Sequence, residues 1–184
     1  METFTSPKPF KPHPEFATER AMALQRLEEL IRLAEPDPPL ITLLLQFMQI
    51  PFCFTLQSCY GQFVYNQSPG DRNLAPVSSF PDGVQYLRYR LAYMVFCIED
   101  KVQGHALYGD LESMTDIDPL YIQFGSADWF WDMTPNTYVI QLEPLEGASQ
   151  DSVVMKRDEA THLERLRYHF FVRLGEIAQR NMSG

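Results

Sequence analysis

Residues 86–98 read YLRYRLAYMVFCI and form the clearest strand pattern in the chain, so they decide the fold class. Polar and apolar residues alternate in the first half, which places Arg88 and Arg90 on one face and the side chains between them on the other. The second half, Ala92–Ile98, is apolar on both faces. A strand that is apolar on both faces is typical of a sheet interior. We therefore expect this segment to be central in its sheet.

Helical and strand patterns flank this segment on both sides. Helices are predicted, from apolar residues at helical spacing, over Glu15–Ala34, Pro38–Gln49, Glu99–Met114 and Asp158–Arg180. Further strands are predicted over Phe52–Leu56, Gln62–Tyr65, Leu120–Phe124 and Tyr138–Leu142, with loops over 66–83 and 147–151. The order predicts an α+β (mixed α/β) domain with one mixed sheet, packed by an N-terminal helix pair and a long C-terminal helix.

The composition sets limits on the class of protein. The 184 residues are 45% hydrophobic, which fits one globular domain, here 15–184, preceded by a proline-rich extended tail over 1–14. The net charge of −9 disfavours a general affinity for nucleic acid. No signal-peptide pattern and no run long and apolar enough to cross a membrane is found in the sequence. The three cysteines suggest reduced thiols in a cytoplasmic protein, with no metal site.

The turn at Ser58-Cys59-Tyr60-Gly61 is the first candidate site. Gly61 permits a tight turn, which leaves backbone N–H groups at a strand end that can bind an anion. Three interpretations stay open: a β-turn with a buried cysteine, a turn that lines a ligand site, and a nucleophilic Cys59 activated by a nearby cation. His105 is a candidate base for the third, although a surface histidine is the simpler interpretation.

Residues 55–62, TLQSCYGQ, resemble the T-T-S-S-C-S-G-R signature of the Tyw3 family of tRNA wybutosine-synthesis methyltransferases. Thr55, Ser58, Cys59 and Gly61 match, which is four of the eight positions. The flanking order of helix, signature, strand and C-terminal helix is also similar over about residues 40–181. The resemblance implies S-adenosylmethionine as cofactor, a modified guanosine of tRNA as substrate, and a site lined by the signature.

Two positions depart from that signature. Gln62 replaces its arginine, which removes a fixed cation, and Tyr60 replaces a small serine, which fills space that a nucleotide would need. The resemblance thus implies the fold more directly than the substrate or the activity. We expect a nucleotide- or S-adenosylmethionine-binding domain with Cys59 as its catalytic candidate. The ligand-binding candidates are Ser58, Tyr60, Gln62, Arg88, Arg90 and Trp129.

The remaining candidates lie outside the signature. Arg88 and Arg90 can bind a phosphate or carboxylate, although a solvated face with salt bridges is the simpler interpretation. The run Trp129-Phe130-Trp131 cannot point entirely into one core, so at least one ring should lie at a surface, a pocket rim or an interface. The competing function is therefore a non-catalytic interaction module that forms a homodimer through residues 128–132.

The C-terminal helix carries an excess of positive charge. Arg165, His169, Arg173 and Arg180 fall on one side of it, which is compatible with an RNA-facing helix. The alternative is a solvated face whose cations complement the helix dipole, and we favour that alternative.

Overall fold

The computed structural model describes residues 4–65, 74–144 and 152–182. The helices are α1 (Phe16–Arg32), α2 (Ile41–Met48), α3 (Val102–Glu112), α4 (Asp128–Trp131) and α5 (Arg157–Met182). The strands are β1 (Phe4–Thr5), β2 (Cys53–Cys59), β3 (Gln62–Val64), β4 (Tyr86–Arg90), β5 (Ala92–Ile98), β6 (Ile122–Ala127), β7 (Thr137–Leu142) and β8 (Ser152–Lys156).

The strands form two antiparallel sheets. The large sheet has the order β1-β6-β7-β5-β2, and the small sheet has the order β3-β4-β8. The α+β class, the N-terminal helix pair and the long C-terminal helix are confirmed. The expected single mixed sheet is instead two sheets in which every described strand pair is antiparallel.

One bent ribbon connects the two sheets. In the large sheet β2 pairs with β5, ending at Cys59 opposite Tyr93, and in the small sheet β3 pairs with β4, beginning at Gln62 opposite Arg90. The pairing register at the end of β2 and the start of β5 continues unchanged into β3 and β4. The four strands therefore form two long strands, β2 with β3 and β4 with β5, that bend together. We call residues 60–61 and 91–92 the bend. The strand predicted over 86–98 is thus β4 and β5, which continue each other through Leu91.

The main core lies between the sheets and the helices α2, α3 and α5. Large side chains such as Phe47, Phe96 and Phe170 are fully buried there, and each contributes about 1.5–3 kcal/mol of hydrophobic stabilisation. A smaller cluster lies on the other face of the large sheet, where Phe16 of α1 packs against Phe54 at 5.3 Å between ring centroids. The helices therefore cover both faces of β2.

The predicted helices agree with the structure except at their ends. The expected helix over Pro38–Gln49 begins as a 3-10 turn, Pro38–Leu40, before α2. Strands β1 and β8 are additional to the prediction. The expected loop 147–151 lies outside the described residues, as do residues 66–73 of the expected loop 66–83. In the described part of the loop 66–83, Val77–Ser79 forms a 3-10 turn.

The proline-rich segment lies along the large sheet. Its strand β1 pairs with β6, and the backbone N–H groups of Lys8 and Lys11 donate to the side chains of Ser126 and Asn136, both at 2.8 Å. The Tyr138 hydroxyl donates to the carbonyl of Lys8 at 3.0 Å. These bonds give the described part of the segment a fixed course over the sheet.

Candidate functional site

The predicted turn lies at the bend of the ribbon, and its glycine is required there. Gly61 has a φ of +80°, in the left-handed region that side chains disfavour. A Cβ at this position would lie 2.8 Å from the Cβ of Ala92 and 3.0 Å from the Tyr89 hydroxyl. The two strands therefore approach each other closely at the bend, and only glycine fits without displacement of its neighbours.

Side chains satisfy the backbone groups of the bend. The Tyr60 N–H donates to Oδ2 of Asp37 at 2.9 Å, and the Gly61 N–H donates to the Cys59 Sγ at 3.4 Å. The Ala92 N–H donates to the Tyr89 hydroxyl at 3.0 Å. The N–H groups that we expected to be available to an anion thus already have partners, and at Tyr60 that partner is the carboxylate of Asp37.

Burial dominates the chemistry of the Cys59 thiol. Burial raises its pKa above the ordinary value, and the carboxylate of Asp37 raises it further. The Gly61 N–H and the guanidinium groups of Arg90 and Arg167 lower the pKa, but their effect is smaller. The thiol is consequently protonated at neutral pH, and the resting state holds no thiolate nucleophile. A catalytic Cys59 stays a prediction. In the described structure its side chain lies beside the bend as a protonated thiol.

Arg167 of α5 supplies a buried cation at the bend. Its side chain is 5% exposed, and its Nη1 donates to the carbonyl of Gly61 at 2.7 Å. Its guanidinium carbon lies 4.5 Å from the ring centroid of Tyr60 and 5.3 Å from that of Phe63. Arg167 was not among the site residues predicted from the sequence. Its position four residues after the buried Leu163 was the available signal that it faces inward.

Gln62 and Arg90 lie opposite each other on neighbouring strands of the small sheet. Gln62 is 5% exposed and its Oε1 has no hydrogen-bond partner, while Arg90 is half-buried and forms no ion pair with the residues that the structure describes. Buried polar atoms are nearly always hydrogen-bonded in folded proteins. This pair therefore offers an acceptor and a cation that the described fold does not use.

The other predicted site residues lie farther from this pair. Ser58 is half-buried in β2 opposite Met94, next to Cys59. Arg88 shares the face of Arg90 and is exposed, and it too forms no ion pair in the described part of the chain. The expected salt bridges of this face are therefore not found among the described residues.

Trp129 belongs to α4 and to a different surface. It is half-buried and packs with Phe130 over a small cluster, Val95, Ala127 and Val139, on the large sheet. Trp131 is buried, with the ammonium group of Lys8 5.2 Å from its ring centroid. The structure thus brings Cys59, Tyr60, Gln62 and Arg90 together at the bend, and Trp129 is not in that group.

The two remaining sequence candidates are engaged elsewhere. Nε2 of His105 lies 2.7 Å from the carboxylate of Asp100, and the imidazole packs on Phe10, so it does not serve Cys59. On α5, Arg180 pairs with Asp110 at 3.3 Å and Arg173 pairs with Glu176 at 2.7 Å. These pairs compensate part of the positive charge of the helix.

The described residues contain neither a metal-binding cluster nor a membrane-crossing helix. Within residues 4–65, 74–144 and 152–182 no group of three or more His, Cys, Asp or Glu side chains could hold a metal ion. In those residues, too, no helix has the length and apolar character that a membrane crossing requires.

Comparison with known proteins identifies the fold. No protein-family model matches the sequence, and no curated protein matches it significantly. Two solved structures of the PH1069 protein from Pyrococcus horikoshii are similar to this chain. The first has a TM-score of 0.51 at 16% sequence identity, and the match covers 92% of this chain and 93% of the PH1069 chain. The other has a TM-score of 0.50 at 14% identity, with 93% of both chains covered. At these identities the likeness concerns the fold alone.

Proposed function

We propose that this chain binds a small molecule with an anionic group at the bend, with Arg90 and Gln62 as its primary contacts. The observation that carries the proposal is that the Gln62 carbonyl is buried, Arg90 is half-buried, and the described fold uses neither. Arg90 supplies the charge for a carboxylate or phosphate, and the carbonyl of Gln62 accepts a hydrogen bond from an amine or hydroxyl of the same ligand.

S-adenosylmethionine and its demethylated product fit this pair of contacts. Both carry an amino acid group with one carboxylate and one ammonium, which match a cation and an acceptor on neighbouring strands. The resemblance of residues 55–62 to the Tyw3 signature leads to the same ligand. We therefore propose S-adenosylmethionine as the cofactor, and methyl transfer as the reaction to be tested after binding has been measured.

Binding is tested with S-adenosylhomocysteine, which cannot react. At 100 times its dissociation constant the ligand should raise the free energy of unfolding by about 2.7 kcal/mol, measured by urea unfolding. Isothermal titration then gives the dissociation constant for the wild-type protein and two variants. Arg90→Gln should weaken binding by about 10- to 100-fold, the effect of losing one hydrogen bond to a charged group.

Arg88→Gln is the matched control, because it removes the same charge two residues away on the same strand face. It should change the dissociation constant less than about threefold, since this exposed side chain is screened by solvent. Equal weakening by the two variants would show that only the general positive charge of the sheet matters. The absence of any binding by the wild-type protein would refute the proposal.

The second candidate function is self-association through the 128–132 segment. Trp129 and Phe130 are half-buried on α4, and Met133, which follows the helix, is 72% exposed. We propose that this apolar group forms the contact of a homodimer. Sedimentation velocity tests this, because Met133→Lys should convert a dimer to a monomer, and a wild-type protein that stays monomeric at high concentration excludes the contact.

A further inference from the structure

We propose that the bend also contains a site for a planar heteroaromatic ring, such as a purine, and that the side chain of Tyr60 occupies it in the free protein. The site consists of Arg167 and Phe171, one helical turn apart on α5, and we call these two residues the ring site. The inference rests on the proposed function, because the ring site would hold the base of the ligand whose charged end Arg90 binds.

The contacts of Tyr60 define the ring site. Its ring stacks on Phe171 with 4.9 Å between centroids and 19° between planes, and the guanidinium carbon of Arg167 lies 4.5 Å from its centroid. A guanidinium and an aromatic face are the two groups on which proteins stack nucleic-acid bases. The contacts that Tyr60 receives are therefore those that a purine would receive in its place.

The walls of the ring site stay in place when the ring of Tyr60 leaves. Arg167 is fixed by its 2.7 Å bond to the carbonyl of Gly61, and the backbone of Tyr60 is fixed by its 2.9 Å bond to Asp37. No hydrogen bond joins the Tyr60 hydroxyl to another described residue, and the side chain is half-buried. The ring can consequently move out by side-chain rotation, without breaking a hydrogen bond of the described structure.

Arg167 gives a second, independent indication. Its Nε is buried and has no hydrogen-bond partner, although its Nη1 donates to Gly61. A buried N–H of a charged group without an acceptor is costly. Nitrogen atoms on the edge of a purine are acceptors, so a base that stacks on Phe171 and points a ring nitrogen at this N–H would supply what the Tyr60 ring cannot. Tyr60 thus competes with the ligand for the same two residues, and it lowers the affinity of the protein for that ligand.

Adenosine and S-adenosylhomocysteine separate the ring site from the anion contact, because adenosine carries no carboxylate. Tyr60→Ser should tighten the binding of both by about tenfold, the effect of freeing one stacking position. Tyr60→Phe keeps the ring and should bind like the wild-type protein. Adding Phe171→Leu to Tyr60→Ser removes one wall and should abolish the gain.

The variants give distinct results if either proposal is wrong. If Arg90→Gln weakens S-adenosylhomocysteine but Tyr60→Ser leaves adenosine binding unchanged or weaker, the ring site is refuted and the proposed function stands. If Tyr60→Ser tightens adenosine while Arg90→Gln changes nothing, the ring site is supported and the anion contact is refuted. If no variant binds either compound, both are refuted.

A measurement on the wild-type protein does not depend on whether the variants fold. Saturating adenosine should displace the Tyr60 ring into solvent and increase its nitration by tetranitromethane, read by peptide mass spectrometry. Nitration of the exposed Tyr168 should not change and serves as the internal reference. Protection of Tyr60 by adenosine, or nitration that does not change, would overturn the proposal.

Discussion

Replacing Gly61 by alanine tests whether the bend has the geometry that the site requires. The added methyl group must adopt a φ of +80° and would lie 2.8 Å from the Cβ of Ala92. The neighbouring atoms are the Ala92 nitrogen and the Tyr89 hydroxyl, both at 3.0 Å. These two atoms are hydrogen-bonded to each other, so they cannot both move away without losing that bond.

The expected loss of stability has two parts. Placing alanine in the left-handed region costs about 1–2 kcal/mol, and overpacking a buried contact costs about 1–3 kcal/mol. Together they lower the free energy of unfolding by about 2–5 kcal/mol, a large fraction of the roughly 5–15 kcal/mol that holds a typical domain folded. In urea the unfolding midpoint should fall by about 1 M or more.

The matched control is Gly83→Ala, also outside helices and strands. No atom lies within 4 Å of a Cβ built on Gly83, and its φ is not in the left-handed region, so alanine should be neutral or stabilise by up to about 1 kcal/mol. Both variants are measured by urea unfolding at pH 7. A Gly61→Ala protein within about 0.5 kcal/mol of the wild-type protein would contradict the described bend.

Three further predictions follow from other contacts. Arg20 donates to the carbonyls of Met48, Ile50 and Cys53 at 2.9, 3.0 and 3.2 Å, so Arg20→Met should cost about 3 kcal/mol in urea unfolding, and the exposed Arg26→Met should cost little. Burial raises the pKa of the Cys53 and Cys97 thiols, so the folded state stays protonated while the unfolded chain ionises. The contribution of these thiols to the free energy of unfolding is therefore complete below about pH 8.5 and decreases as the pH rises above it. Between pH 7 and 10, Cys53→Ala should lose less of its free energy of unfolding than the wild-type protein does. The carboxylate of Asp37 raises the pKa of Cys59, and the guanidinium of Arg90 lowers it. Alkylation of Cys59 by iodoacetamide at pH 8 should therefore be faster in Asp37→Asn and slower in Arg90→Gln than in the wild-type protein. The same rate in both variants would contradict the described charges.

The sequence was sufficient for the long elements, because their periodicity is strong. The apolar stripes of α1 and α5 were visible at helical spacing, and the interior position of β5 followed from residues that are apolar on both faces. The same double-sided apolarity hid the division between the sheets. In β4 the core-facing side chains are Leu87 and Tyr89, at odd positions, whereas in β5 they are Met94 and Phe96, at even positions. The alternation of core-facing side chains therefore shifts by one residue at the bend. A segment that is apolar on both faces does not show such a change.

The candidate site was only partly predictable for a related reason. Cys59, Tyr60 and Gln62 are consecutive or nearly so around one glycine, and a turn of this composition can be identified locally. Arg167 reaches the same turn from more than a hundred residues away, through a contact that depends on how α5 packs on the small sheet. Sequence spacing carries no information on that contact, although an arginine on the apolar stripe of α5 was a sign of burial.

The bend explains why polar side chains bond to the backbone where the ribbon turns. Where both strands turn from one sheet into the other, backbone groups lose their ladder partners, and buried backbone groups must find others. Asp37, Cys59, Tyr89 and Arg167 provide those partners.

Arg90 and the carbonyl of Gln62 have no such task within the described residues, and their position beside the bend is not a requirement of the backbone. Substitutions of Asp37 and Tyr89 should therefore lower stability before they alter binding. Arg90→Gln should alter binding at nearly unchanged stability, and this difference separates the support of the site from the site itself.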